Sequence, residues 1–109
     1  TSAKYPENIS EFDQTRLEQE YINGFHAPYV KGAAVRLGCR FLNEYEIKEN
    51  ETLLLVSEIE HVYIADQNIQ QEDGWLNLEH ADTVAINGLD GYAKPQLLDR
   101  FPYARPKTT

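Results

Sequence analysis

The first residues of the chain that could do chemistry lie at its start. The side chain of Lys4 can neutralise a phosphate, and the hydroxyls of Thr1 and Ser2 can donate hydrogen bonds to one. Tyr5 follows Lys4 directly and adds a phenol to the same segment. The same residues fit an exposed loop at the end of a chain at least as well, so the residue types alone leave both interpretations open.

A second candidate lies around two turns that contain glycine. The dipeptides Asn87-Gly88 and Asp90-Gly91 are typical turn sequences, and Tyr92 follows them directly. Glycine lets the backbone approach a ligand closely, and an aromatic ring can stack on a flat heterocycle. A tyrosine that covers a core after a turn explains the pattern equally well. Lys94 is a weaker candidate, because a lone surface lysine is usually only solvated.

The remaining residues of chemical interest do not form a catalytic or metal-binding pattern. His26, His61 and His80 are scattered, without a second ligand at a useful spacing, and no Ser-His-Asp or Cys-His arrangement is evident. Cys39 falls on the apolar side of an alternating segment, which predicts a buried structural thiol.

Length and charge exclude several classes of protein. The chain has 109 residues, enough for one domain, and a formal charge of −8. Nucleic-acid binding needs a basic face, so we expect no nucleic-acid partner. No apolar run approaches the roughly 18 residues that span a bilayer, so we expect no membrane insertion. One cysteine excludes an internal disulfide and suits a reducing compartment, which predicts a cytoplasmic protein.

The elements that must position these residues are mainly strands. Residues 33–47 alternate apolar and polar side chains, and a second strand is predicted from Thr52 to about Ala65. With a polar turn at 48–51, the two form a long antiparallel hairpin, in which Gly38 marks a bulge or bend. The run LLLV at 53–56 is apolar on both faces, which predicts deep burial.

The rest of the chain is short of elements that could bury such a hairpin. Ser10 is predicted to cap a short helix, followed by apolar residues from Leu17, and a second short helix is predicted over 78–85 with Asn77 or Asp73 as its cap. Residues 96–103 are predicted to form a last strand. A hairpin needs a third strand or a covering layer, so the sequence predicts part of a barrel whose other strands come from elsewhere.

The order of these segments resembles the flavin reductase-like, FMN-binding split-barrel family. The opening TSAKYPENISEF is similar to the family's small-residue loop with its Tyr-Pro-like and Asp/Glu-Phe pairs, and the match continues through the Pro28 segment to Leu37-Gly38-Cys39-Arg40. The strongest match is LLLVSEIEHVYIADQNIQQEDGWLNLEHADTVAINGLDGYAK. Ser57 departs from the usual glycine, and Asn87-Gly88-Leu89 departs from the more common Leu-Gly-Gly.

The resemblance implies a mainly β fold with short helices, forming part of a split β-barrel with the long hairpin at its centre. It implies that residues 1–109 are the C-terminal portion of one domain, whose N-terminal half is absent. It further implies FMN, which it places near Lys4, Tyr5, the Asn87-Gly88 loop and Tyr92. With the candidates chosen for their side chains, the predicted FMN-binding residues are Thr1, Ser2, Lys4, Tyr5, Asn87, Gly88, Tyr92 and Lys94.

For the intact protein, the resemblance implies hydride transfer from NADH or NADPH through FMN. It also implies a homodimer and an onward electron acceptor such as a partner oxygenase. Two alternatives remain open at this point: a non-enzymatic, acidic, β-rich binding or assembly module, and a protein that binds FMN without reductase activity.

Overall fold

The computed structural model of the chain describes residues 4–107. These residues divide into two compact units, one ending at Gln67 and the other beginning at Asn68. None of the helices in this described range is long and apolar enough to cross a membrane.

The first unit contains one short helix and four strands. They are α1 (Glu11–Gln14), β1 (Gln19–Glu20), β2 (Tyr29–Val30), β3 (Val35–Ile47) and β4 (Thr52–Ile64). The predicted cap is confirmed, because the Ser10 side chain accepts a hydrogen bond from the Phe12 amide and two acids follow in the first turn. The helix stops at Gln14, and β1 pairs antiparallel with β2 where only irregular structure was predicted.

The long hairpin is confirmed. β3 and β4 pair antiparallel from Val35 opposite Ile64 to Ile47 opposite Thr52, and their register shifts between Gly38 and Cys39 as predicted. A second shift, between Phe41 and Asn43, was not predicted. Each bulge changes which side chains share a face, so the hairpin consists of three short stretches of regular pairing.

The prediction that the LLLV run lies deeply buried is wrong for this chain. Leu53 and Leu55 are 58% and 61% exposed on one face, and Leu54 is 53% exposed on the other. β3 and β4 form a two-stranded sheet, and no other described strand pairs with them. Cys39 is likewise only half-buried, not buried as predicted.

The second unit has one short hairpin. After a 3-10 turn at Gln67–Ile69, which lies at the boundary between the units, β5 (Ala85–Asn87) pairs antiparallel with β6 (Gly91–Ala93). The helix predicted over 78–85 is wrong: Asn77 caps only one turn, closed by the Ala81 amide on the Asn77 carbonyl at 3.3 Å. The turn ends at Asp82, whose φ of 55° does not continue a right-handed helix.

The last strand, predicted over 96–103, is also wrong. Residues 94–107 contain no regular element. Pro95 and Pro102 lack the amide hydrogen that a strand ladder needs, and β5 and β6 pair only with each other among the described strands. Within the described range, the buried apolar residues are Tyr29 in the first unit and Ile69 in the second.

Candidate functional site

The structure brings four of the eight predicted site residues together on the β5–β6 hairpin. Asn87 ends β5, Gly88 begins the turn with a φ of 70°, Tyr92 is the middle residue of β6, and Lys94 follows the strand. Tyr92 lies opposite Ile86, and Asn87 lies opposite Gly91. The sequence predicted two turns here, and the structure has a single hairpin turn between β5 and β6 that contains both glycine dipeptides; the role of these residues in binding stays a prediction.

Two glycines shape this turn for different reasons. Gly88 has a positive φ that side-chain-bearing residues rarely adopt. At Gly91, a Cβ atom would lie 2.7 Å from the Asn87 carbonyl oxygen across the hairpin, so a side chain there would push the strands apart. Together they hold Tyr92 directly beside a tight three-residue loop.

The side chains at this turn are open to solvent. Tyr92 is 63% exposed, which leaves its ring available for stacking. The Lys94 ammonium lies 3.0 Å from Asp82 Oδ1, and both side chains are highly exposed. A surface pair of this kind contributes about 0–1 kcal/mol, so Lys94 can turn to another anion at little cost.

The other predicted site residues belong to the first unit. Lys4 is exposed and Tyr5 half-buried, in an irregular segment that precedes a turn closed by the Ile9 amide on the Pro6 carbonyl at 3.0 Å. Thr1 and Ser2 lie outside the described residues. The structure therefore groups Asn87, Gly88, Tyr92 and Lys94, and it describes Lys4 and Tyr5 within a different unit.

Sequence reasoning missed an aromatic cluster at the base of the long hairpin, which is the end where Val35 pairs with Ile64. Phe25 packs on Tyr29 and, edge to face, on His61, each with ring centroids 5.5 Å apart, and Tyr29 packs edge to face on Tyr63 at 5.4 Å. Asn23 Nδ2 donates a hydrogen bond to the Tyr63 hydroxyl at 3.2 Å. The sequence signal was a concentration of aromatic residues before β3. These residues have no regular spacing, so no periodic pattern pointed to a cluster.

The Tyr29 hydroxyl in this cluster is buried and has no hydrogen-bond partner among the described residues. It occupies the space that a side chain at Gly38 would fill. Burial raises the pKa of the Tyr29 hydroxyl above its ordinary value, and the neighbouring Tyr63 and Cys39 groups raise it further. This phenol therefore stays protonated at neutral pH and acts by packing.

A second unpredicted cluster surrounds the single tryptophan. The Arg100 guanidinium lies 4.3 Å from the centre of the Trp75 ring, and its Nη2 is 2.8 Å from Asp73 Oδ2. The hydrogen bond from Arg100 and another from the Trp75 amide hold the pKa of Asp73 below its ordinary value. Arg100 and Asp73 are 27 residues apart, so nothing in the local sequence pairs them.

Comparisons with known proteins give one informative match. No protein-family model matches the chain, and a search of curated proteins finds no match. The chain is similar to a crystal structure from Shewanella frigidimarina NCIMB 400 of a protein assigned as a flavin reductase with a split barrel domain. The sequences are 40% identical and the TM-score is 0.86, over 94% of this chain and 52% of the other.

The chain thus spans about half the length of the structure that it matches. Its hairpin and short elements follow the split-barrel arrangement, although the described strands form three separate two-stranded sheets and not a closed barrel. The resemblance inferred from the sequence is confirmed by this similarity, and so is the predicted fold class: the chain is mainly β and follows part of a split-barrel arrangement.

Proposed function

We propose that the chain is part of an FMN-binding flavoprotein that takes a hydride from a nicotinamide cofactor and passes electrons onward. The similarity to the split-barrel flavin reductase structure, at 40% identity over 94% of this chain, is the observation that carries the proposal. FMN supplies the redox chemistry in such a protein, and the chain's residues bind and orient it.

The residues of the β5–β6 turn fit one edge of a flavin site. The exposed ring of Tyr92 suits stacking on the flat isoalloxazine. Gly88 has a positive φ and no side chain, so its backbone is accessible to a ligand beside that ring. Apart from the two chain neighbours of Gly88, no described residue lies within 4 Å of the position that a Cβ atom would take there, so a ligand can approach the backbone.

The cations supply the second part of the proposed site. Lys94 is available to a phosphate because its pair with Asp82 is solvent-screened. Lys4, with Thr1 and Ser2 beside it in the sequence and Tyr5 next, is proposed separately, from the sequence resemblance, as a contact for the phosphate or ring edge. The total charge of −8 does not oppose this, because binding of one small anion depends on local cations.

We also propose that the intact protein is a cytoplasmic homodimer that uses NADH or NADPH and delivers electrons to an oxygenase or another acceptor. The open faces of the β3–β4 hairpin support association, since exposed strands with apolar faces and unpaired edges favour pairing with further chain. In this proposal, residues 1–109 are the C-terminal portion of one split-barrel domain.

The test is a titration with FMN followed by flavin absorbance, on this chain and on a longer protein that supplies a complete split barrel. Binding by the longer protein supports the proposal, and NADH or NADPH oxidation with added FMN then distinguishes a reductase from a passive carrier. A longer protein that stays colourless and does not titrate would overturn it, favouring a non-enzymatic binding module.

A pair of tyrosine variants tests the site itself in the FMN-binding protein. Tyr92→Ala is expected to raise the Kd for FMN about twofold to tenfold, because one stacking contact is lost, whereas Tyr92→Phe keeps the ring and the affinity. Tyr103→Ala is the matched control, because Tyr103 is also highly exposed and belongs to the same unit. Equal effects at positions 92 and 103 would exclude Tyr92 from the site.

A further inference from the structure

The second unit contains an apolar groove that is separate from the β5–β6 turn. It measures about 340 Å³, which is within the range of sites for small molecules. Its walls include Trp75, Leu76 and Leu78 on one segment and Pro95 and Leu97 on another. Such a surface, with one aromatic and four aliphatic walls, suits a small flat ring.

Hydrogen bonds fix both walls of the groove. The Leu97 amide donates to Glu79 Oε2 at 3.0 Å, which ties the irregular C-terminal segment to the capped turn. The Gln71 amide donates to the Trp75 carbonyl at 2.8 Å, and the Asn77 amide donates to the Ile69 carbonyl at 2.7 Å. A groove fixed in this way is largely preformed, so a ligand does not have to order it on binding.

The charge of the groove defines the chemistry of its ligand. Among the described lining residues, Glu79 is the charged one, and one of its oxygens accepts the Leu97 hydrogen bond. Two cations lie nearby but outside the lining. Lys94, in an adjoining recess, is 3.0 Å from Asp82, and Arg100, over the Trp75 ring, is 2.8 Å from Asp73. The charge of the lining itself is negative, so it favours a positive charge or an N–H donor over an anion.

We propose that this groove binds a small flat aromatic molecule that carries a cationic or amide N–H group, with the ring between the apolar walls and the N–H group directed at Glu79. The inference does not rest on the proposed flavin site, because the groove is lined by other residues. It assigns a second binding site, with a defined ligand class, to the segment 75–97.

Three probes of the same shape test the ligand class in the full chain: benzamidine, benzamide and benzoate. Trp75 is the single tryptophan, so its fluorescence reports binding at the groove. We expect benzamidine to change the Trp75 emission at the lowest concentration, with a Kd of about 1 mM for so small a ligand, followed by benzamide and then benzoate. Benzoate binding as tightly as benzamidine, or no response to any probe, would overturn the proposal.

A matched pair of variants tests the role of Glu79. Glu79→Gln removes the charge but keeps an oxygen to accept the Leu97 amide, so it should weaken benzamidine about threefold to fivefold and leave benzamide unchanged. Glu72→Gln removes an exposed carboxylate that does not line the groove and should change neither. Equal effects of the two variants on benzamidine affinity would contradict the assignment. Far-UV circular dichroism checks that both variants fold. If either variant does not fold, the order of the three probes on the wild-type chain still tests the proposal.

Discussion

The two ends of the long hairpin contain the same kind of strand pairing but differ in what covers them. At the base, Phe25 and Tyr29 lie against the face that carries Gly38, His61 and Tyr63. This cover leaves Tyr29 only 6% exposed. The base is therefore a small core, in which the segment 25–34, directly before β3, covers one face of the sheet.

The tip of the hairpin, where Ile47 pairs with Thr52, has no such cover among the described residues. Tyr45 and Leu54 share one face there, and Glu44 and Leu55 share the other, and all four are exposed. The difference shows that backbone pairing and alternation are enough to predict strands, whereas burial depends on a second layer that the strand sequence does not contain.

The sharpest test of this comparison is the same substitution at both ends. Tyr29→Ala should lower the free energy of unfolding by about 3 kcal/mol, because it removes a buried aromatic side chain and leaves a cavity. Tyr45→Ala should change it by less than about 0.5 kcal/mol, because Tyr45 is exposed. Urea unfolding followed by circular dichroism measures both. Equal losses would show that the tip is covered in solution.

The second test adds a methyl group to the base. Gly38→Ala should cost about 1–3 kcal/mol in unfolding free energy, because its Cβ would collide with the Tyr29 hydroxyl oxygen. Tyr29→Phe removes that oxygen, which has no hydrogen-bond partner, so it should be nearly neutral alone and should restore part of the loss in the double variant. Ser57→Ala, on the exposed middle of β4, is the control and should be neutral. A double variant no more stable than Gly38→Ala would place the collision elsewhere.

The same comparison explains which parts of the fold could be predicted from the sequence. Strands β3 and β4, the bulge at Gly38 and the cap at Ser10 depend on local alternation, glycine and side-chain oxygens, and all were predicted. The burial of the LLLV run was predicted wrongly, because burial is decided by contacts with chain that lies far away in sequence.

The candidate site divides along the same line. The turn at Asn87-Gly88 is a local signal, and the structure groups it with Tyr92 and Lys94. The pair of Arg100 with Asp73 was missed because it joins residues 27 positions apart. The helix predicted over 78–85 failed since Asn77 caps a turn that ends at Asp82, where φ is 55°.

A third, smaller effect is expected at the base in alkaline solution. Burial raises the pKa of Tyr29 in the folded state above its ordinary value of 10.0, so the contribution of this phenol to stability is present below pH 10 and is lost as the pH rises further. Wild type should therefore lose more stability than Tyr29→Phe above that pH. Unfolding in urea across the alkaline range measures this; identical curves for the two proteins would mean that Tyr29 titrates as an exposed tyrosine.

The smallest effect belongs to the second unit, where Trp75 is ordered by a contact with a cation and only half-buried. The hydrogen bond from Arg100 lowers the pKa of Asp73 below its ordinary value of 3.8, so this pairing stabilises the folded state above that pH and is lost as the pH falls through the lowered pKa. The Trp75 emission should accordingly change in acid at a lower pH in wild type than in Arg100→Gln.

Arg105→Gln, near Tyr103, is the matched control and should leave the Trp75 transition unchanged. Coincident transitions for wild type and Arg100→Gln would show that Arg100 does not hold Asp73 in solution. In that case the base of the long hairpin, which is ordered by burial, would be the better-defined of the two aromatic clusters.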